Sequence, residues 1–295
     1  MELFRALAVL IEDPQAAEAA RVSEALMLGP LPTAAEYTEL FGFQLCPYAS
    51  IYLGPEGMLG GQARAAVAGF WQALGLVAPV EPDHLAVMLA MYARLAELEN
   101  GESDPARRGG WGRARRAFLW EHLLSWLPVY LTKLSDLAPP FYRRWGEILE
   151  AALGEEAKAA GGRQPVPVYL REAPGLIDPR KEEAGKFLAS LLSPVRSGMV
   201  LTRADLGRAA RKLGLGLRLG ARKFMLAALF SQDAAGMFDW LIAEAFAWTE
   251  RHRAHKKGAF KEIATAWEQQ AKAATVLLSS LRHELIASAG KSQPA

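Results

Sequence analysis

Five histidines, His84, His122, His252, His255 and His283, and one thiol, Cys46, are the side chains best suited to metal or nucleophilic chemistry. Only His252 and His255 have a spacing that puts two imidazoles on one helical face. Zinc needs three or four converging ligands, so this pair, with no third ligand nearby, reads as solvated surface histidines, and no metal is expected. His84 and His122 read as helix-associated histidines with ordinary partners. Cys46 stands beside Pro47 with no neighbouring base to lower its pKa, and no Gly-x-Ser-x-Gly elbow occurs. The run from Gly214 through Gly216 to Gly220 misses the dinucleotide-binding spacing by one residue and follows a helix, so it reads as a helix–helix turn. These residues point to a non-catalytic binding protein without a cofactor.

Charge is the other source of chemistry. Residues 1–180 carry 16 Lys/Arg against 22 Asp/Glu (−6), whereas residues 181–295 carry 18 against 10 (+8). Between Asp205 and Asp233 there is no acidic residue, yet Arg208, Arg211, Lys212, Arg218, Arg222 and Lys223 all fall there, so this stretch can meet something anionic. A helix, a glycine-containing turn and a second helix bearing Arg222 and Lys223 over 202–230 make a DNA-binding regulator the alternative reading, and nucleic acid is the minority expectation. The main expectation is a solvated or client-facing surface, docked on the acidic first half through Leu206, Leu213, Phe224 and Leu229.

The elements that position these groups are helical. Ala63, Ala66, Val67, Phe70, Trp71 and Leu74 recur at i, i+3, i+4, i+7, i+8 and i+11, a core-facing stripe, with Gly75 placed for a left-handed cap. The next helix is expected to start at Pro82-Asp83, with the carboxylate near the positive end of the dipole. From Leu85 to Ala93 it is apolar nearly all round, as a central helix enclosed by others would be. Pro128 should kink or end the aromatic helix Ala114–Lys133, and another helix follows from Pro140 to Ala152. Residues 161–180 are rich in Pro and Gly and read as a linker, with Val166–Leu170 the one strand-like run. Beyond them helices are expected over Glu182–Leu192, Arg203–Leu213, Arg222–Phe230, Gly236–His252 and Phe260–Ala289. Thr202 with Asp205 makes a capping-box-like start for the second.

An apolar share of 51% with 22% charged residues suits a globular chain and argues against disorder. A single cysteine excludes an internal disulfide, and the first twenty residues lack a signal-peptide pattern, so an intracellular protein is expected. The most apolar runs are about nine residues long, short of the roughly 20 a spanning helix needs, so no membrane insertion is expected.

Several segments in order resemble one family. Tyr37 to Phe41 is followed by Pro47-Tyr48, Ser50 and Tyr52, then by Gly60-Gly61 and Phe70-Trp71 before Gly75-Leu76. The most specific segment is Glu81-Pro82-Asp83-His84-Leu85. The last runs from Phe118 through His122 and Trp126 to Pro128. Together these resemble the TorD/DmsD/NarJ family of redox-enzyme maturation chaperones. The resemblance implies an all-α fold, a TorD-like helical bundle over 1–160, with a basic helical extension over 181–295 that the family does not explain. It implies a cytoplasmic chaperone, not an enzyme, that binds the apo form of a molybdopterin oxidoreductase subunit, and in many members its twin-arginine signal peptide, until the molybdenum cofactor is inserted. It also implies client recognition by Asp83 and His84.

A signal peptide presents two guanidinium groups and then an apolar helix, so its receptor needs carboxylates beside an aromatic groove. Glu81, Pro82, Asp83 and His84 are the candidates for the first part, and Tyr48, Tyr52, Trp71, His122 and Trp126 for the second. At least half of the aromatics are expected in the core. Many family members carry glutamates just after the Asp-His pair, where this chain has Met88 and Ala90. Homo-oligomerisation is left open.

Overall fold

The computed structural model describes residues 1–161, 165–256 and 260–291. In chain order its α-helices are α1 (Glu2–Glu12), α2 (Ala17–Ala25), α3 (Ala34–Tyr37), α4 (Ala49–Leu53), α5 (Gly61–Ala73), α6 (Leu85–Gly101), α7 (Pro105–Ala117), α8 (Leu127–Leu137) and α9 (Pro140–Ala160). There follow α10 (Val168–Arg171), α11 (Ala184–Leu191), α12 (Pro194–Ser197), α13 (Arg203–Leu213), α14 (Arg222–Gln232), α15 (Ala234–Ala254) and α16 (Lys261–Lys291). Two π-helical segments, Thr38–Gln44 and Phe118–Leu124, interrupt the α geometry. Among the described residues the all-α expectation holds, the only β pairing being the isolated bridge between Tyr48 and His84.

α6 is central. Leu85, Ala86, Met88, Leu89, Met91, Tyr92, Ala93 and Leu95 are all buried, and α6 packs on α1 and α7. α1 is clamped to α9 as well, because the Trp145 and Tyr142 side chains donate to the Leu7 and Leu10 carbonyls at 3.0 and 3.1 Å. The Leu7 carbonyl lies mid-helix, so that bond adds to the helical ladder, whereas the Leu10 carbonyl is in the last turn, where Pro14 offers no N–H and the Tyr142 hydroxyl supplies the donor.

Several expectations are corrected. α6 begins at Leu85, not at Pro82-Asp83, and its N-cap is His84, whose Nδ1 accepts from the Ala86 N–H at 3.3 Å. Pro128 does not kink a long helix. The aromatic segment leaves α geometry at Phe118, and Pro128 sits in the first turn of α8, where its missing N–H is harmless. The strand-like run at 166–170 forms the short helix α10. The Thr202–Asp205 capping box is present, and Gly75 (φ +73°) and Gly214 (φ +67°) adopt the left-handed conformation that ends α5 and α13.

The residues after 180 are not appended at the surface. α15 and α16 form an antiparallel pair, held at one end by Arg282 on Asp239 (2.8 Å) and at the other by Arg253 on Glu268 (3.3 Å). Trp267 of α16 donates to the Ser125 carbonyl at 3.0 Å, and Ser193 donates to the Gly54 carbonyl at 3.1 Å. Lys133 of α8 and Asp205 of α13, both fully buried, pair at 2.6 Å. Residues of the expected linker also pack inward, since Trp120 donates to the Pro165 carbonyl at 2.5 Å and Leu170 is buried. The buried apolar residues form one cluster from Phe4 to Leu281.

Candidate functional site

The segment leading into α6 is held by a second segment 33 residues earlier in the chain. Leu85 N–H donates to the Pro47 carbonyl at 2.8 Å and Ala49 N–H to the Asp83 carbonyl at 3.0 Å. The Asp83 carboxylate, 1% exposed, accepts from Ser50 N–H at 3.2 Å, and the Ser50 hydroxyl accepts from Gly60 N–H at 3.1 Å. Asp83 therefore neither caps α6 nor faces solvent. It fixes the 47–52 segment, and Pro82 is buried beside it.

Three other predicted residues converge on the surface above it. The Tyr48 ring lies edge-on to His84 (4.8 Å), and its hydroxyl donates to exposed Glu81 at 2.9 Å. Burial and that carboxylate hold the Tyr48 phenol well above its usual range. Burial lowers the His84 pKa, while Glu81, Glu12 and Asp83 oppose the shift. With Nδ1 accepting from Ala86, the neutral ring keeps its proton on Nε2.

Alongside runs a groove of about 590 Å³ between α1, α2 and α6, floored by Val9, Ala86, Val87 and Met91 and bordered by Trp71 and Pro79. Glu12 and Glu18 stand on it, and no cation pairs with Glu12, Glu18 or Glu81 among the described residues. Arg5, on the same groove, is committed to Glu97 at 2.7 Å. Trp71 is half-buried and its Nε1 has no partner. Of the two positions singled out after the Asp-His pair, Met88 is buried and Ala90 is exposed on this groove. Glu12, Glu18 and Val9 escaped the sequence reading because they lie about 70 residues before α6. The only hint was the abrupt acidic end of the apolar α1.

The remaining predicted aromatics go elsewhere. Tyr52 (2% exposed) and Trp126 (0%) stack in the core at 5.1 Å, donating to the Cys46 carbonyl (3.0 Å) and the His122 carbonyl (2.9 Å). They cannot line an open groove. Trp126 lies within an apolar run, Leu123–Leu131, a signal that could have placed it in the core. His122 lines a different cavity, about 810 Å³, on the other side of α5 with Phe70, Glu121 and α10. The apolar stripe of α5 is thus only partly core: Ala63 and Val67 are buried, while Phe70 and Trp71 each edge a cavity.

The histidine readings need correction as well. His252 is not solvated. It is buried, and its Nε2 lies 2.8 Å from the Gly198 carbonyl. His255 is half-buried, with Nδ1 2.9 Å from the Arg251 carbonyl and Nε2 3.5 Å from Glu150, whose hydrogen bond raises its pKa. Among the described residues no His/Cys/Asp/Glu group is arranged to hold a metal ion. His122 lacks ordinary partners, since its Nδ1 is buried without a hydrogen bond. Cys46 is half-buried and its thiol is pushed up by burial, against the pull of Arg222 and Arg203.

Burial lowers both His122 and His252 to about 4; for His252 the Gly198 carbonyl and Glu268 pull upward, while His255 and Arg251 push down. Unfolded, both titrate near 6.5. A base with a lowered folded pKa contributes its full stability above the unfolded value and loses it as pH falls toward the folded one. The expected result is constant stability from these groups above pH 6.5 and a loss on the order of 2–3 kcal/mol per histidine by pH 4. Urea midpoints measured across that range check this. His122→Phe, which removes a titrating group but no hydrogen bond, should flatten the profile; an unchanged slope would show that His122 does not titrate in this way.

The basic stretch is only partly the surface expected from charge. Leu206 and Leu229 are buried and Leu213 packs against the core, but Phe224 is half exposed. Arg222 is not solvated: its guanidinium donates to the Leu201 carbonyl at 2.8 Å. Arg208 pairs with Asp205 and Glu244. A recognition helix presents its first turn to a DNA groove, whereas α14 commits that arginine to the fold and buries Met225, Leu226 and Leu229. The 214–221 turn is also longer than that motif uses. The DNA-binding alternative is not favoured. No helix among the described residues is long and apolar enough to cross a membrane.

Residues 11–131 match a family model described as nitrate reductase delta subunit. Over 88 residues the chain is 32% identical to the Chaperone protein TorD of Photobacterium profundum. That match takes in 28% of this chain and 41% of the relative, so it spans less than half of the curated protein. The Tyr48–His84 bridge, the motif-bearing segments and the groove, apart from its wall at Arg5, Ala8 and Val9, fall inside the matched residues.

Proposed function

We propose that the protein is a TorD-like cytoplasmic chaperone for a molybdenum-cofactor-dependent oxidoreductase precursor, a reading supported by the match of residues 11–131 to the family model and by the partial likeness to a TorD chaperone. It holds the apoenzyme, through its twin-arginine signal peptide, until cofactor insertion, and performs no turnover of its own. The observation that carries this reading is the pairing of unneutralised carboxylates, Glu12, Glu18 and Glu81, with an apolar groove bordered by Trp71. Guanidinium groups suit the carboxylates, and the apolar helix that follows them in a signal peptide suits the groove. His84 and Tyr48 complete the rim, while Asp83 positions it from beneath. Tyr52 and Trp126 support the same segment from the core.

Capture of client from a lysate by the tagged chain, with mass spectrometry, should recover a molybdopterin oxidoreductase subunit. Its absence where one is expressed would remove the client assignment. Calorimetric titration with a synthetic twin-arginine peptide isolates the face itself. Glu81→Gln and Glu12→Gln should each weaken binding several-fold at low salt and less at high salt, because exposed charge pairs are screened. Peptide binding unaffected by both substitutions would place recognition elsewhere.

A further inference from the structure

The cations between Asp205 and Asp233 fall into two groups. Arg208 and Arg222 are held within the fold, but Arg211, Lys212, Arg218 and Lys223 have no acidic partner among the described residues. These four occupy the last turn of α13, the 214–221 turn and the first turn of α14. The same turn exposes large apolar side chains: Leu219 is 85% exposed and Phe224 50%. Phe224 belongs with the turn, because a Cβ on Gly220 would lie 2.9 Å from its ring.

Across a shallow groove of about 660 Å³, which Leu217, Leu219 and Arg211 line from one side, stand Phe43 and Arg203. Phe43 is 49% exposed and the Arg203 guanidinium covers its ring at 5.4 Å. Of the two carboxylates on this groove, only Glu39 lacks a cation partner among the described residues, one charge against Arg203 and Arg211. Asp136 pairs with Arg251 at 3.1 Å, and Glu39 accepts from the Gln44 amide at 2.7 Å. Arg203 and Arg211 therefore line one groove with exposed Phe43, Leu217 and Leu219, and Arg218 stands in the same turn.

We propose that this face, centred on residues 214–221, docks on an anionic membrane surface. Leu219, Leu217 and Phe224 enter the boundary between headgroups and acyl chains, and Arg211, Arg218 and Lys223 meet the lipid phosphates. Charge complementarity selects this occupant, and exposed apolar side chains separate it from nucleic acid. Duplex DNA neutralises cations but offers leucine nothing to enter, whereas the lipid interface takes both. The inference rests on this surface alone and is independent of the chaperone reading.

The test is co-sedimentation of the full chain with phosphatidylcholine vesicles, with and without phosphatidylglycerol, beside a gel shift on duplex DNA. The chain should sediment with the anionic vesicles only. Arg218→Gln should lower partitioning roughly fivefold, the effect of one cation near an anionic surface. Leu219→Asn should lower it about tenfold through lost apolar burial, and neither variant should change the melting temperature, since both side chains point to solvent. Equal partitioning into neutral vesicles, or unchanged partitioning of both variants, would overturn the proposal. A DNA shift weakened by Arg218→Gln, without vesicle binding, would assign the face to nucleic acid instead.

Discussion

Asp205→Ala is expected to destabilise the whole chain by about 3–5 kcal/mol, the usual cost of stranding one member of a buried ion pair. The Lys133 ammonium is fully buried and Asp205 is its acceptor, so the substitution leaves a cation that neither water nor another carboxylate reaches. The same carboxylate accepts from the Thr202 N–H and hydroxyl, and losing that capping box adds about 1 kcal/mol. Lys133→Met should cost less, because Asp205 keeps Arg208 and Thr202. Lys133→Met combined with Asp205→Ala should recover part of the loss of Asp205→Ala alone. Urea unfolding followed by circular dichroism and tryptophan fluorescence measures all three. The pair joins α8 to α13, so both signals should move together in one transition. A cost below about 1 kcal/mol for Asp205→Ala would mean that water reaches Lys133 in the fold.

Gly198→Ala should be nearly as damaging, by about 2–5 kcal/mol. Gly198 ends α12 at φ +67°, a conformation that costs a side chain roughly 1–2 kcal/mol. A Cβ there would lie 2.7 Å from Ala271 Cα and nearer still to its backbone nitrogen, so α16 must move away, at the roughly 1–3 kcal/mol typical of overpacking. The His252 contact with the Gly198 carbonyl is disturbed with it. Thermal melting is the readout, and Gly214→Ala is the control. Gly214 shares the left-handed φ but has nothing within 4 Å, so only the conformational cost of about 1–2 kcal/mol applies. Because the obstruction is backbone, Ala271→Gly should not rescue Gly198→Ala. Rescue would show that the Ala271 methyl, and not the approach of α16, sets the constraint.

Both effects concern residues expected to belong to a separate extension. The charge asymmetry between the halves was legible in composition, and docking of one on the other followed from it. Which groups do the docking was not. Leu206 and Leu229 are buried as expected, but the polar ties include Lys133 with Asp205, 72 residues apart, Arg196 with Pro55, 141 apart, and Trp267 with Ser125, 142 apart. None of these separations leaves a periodic trace in the chain.

Helical periodicity is a local property, and so the sequence by itself determined α5, α6, α9 and most of the helices after residue 180, the enclosed character of α6, the capping box at Thr202 and the left-handed Gly75. Ordered family segments likewise determined the TorD-like resemblance, since each depends on residues close together in the chain. Burial of polar groups is decided by partners that arrive from far away, and here only the tertiary structure could decide. It moved Asp83 from the surface to a backbone-holding role under Ser50, made His84 the cap, enclosed His252 behind Gly198 and anchored Arg222 on Leu201. It also separated one predicted cluster into a core stack, Tyr52 on Trp126, and a surface rim, Tyr48, Glu81 and His84. An aromatic at helical spacing reads the same in the sequence whether its outer face meets water or another helix; the helix packed against it makes the difference.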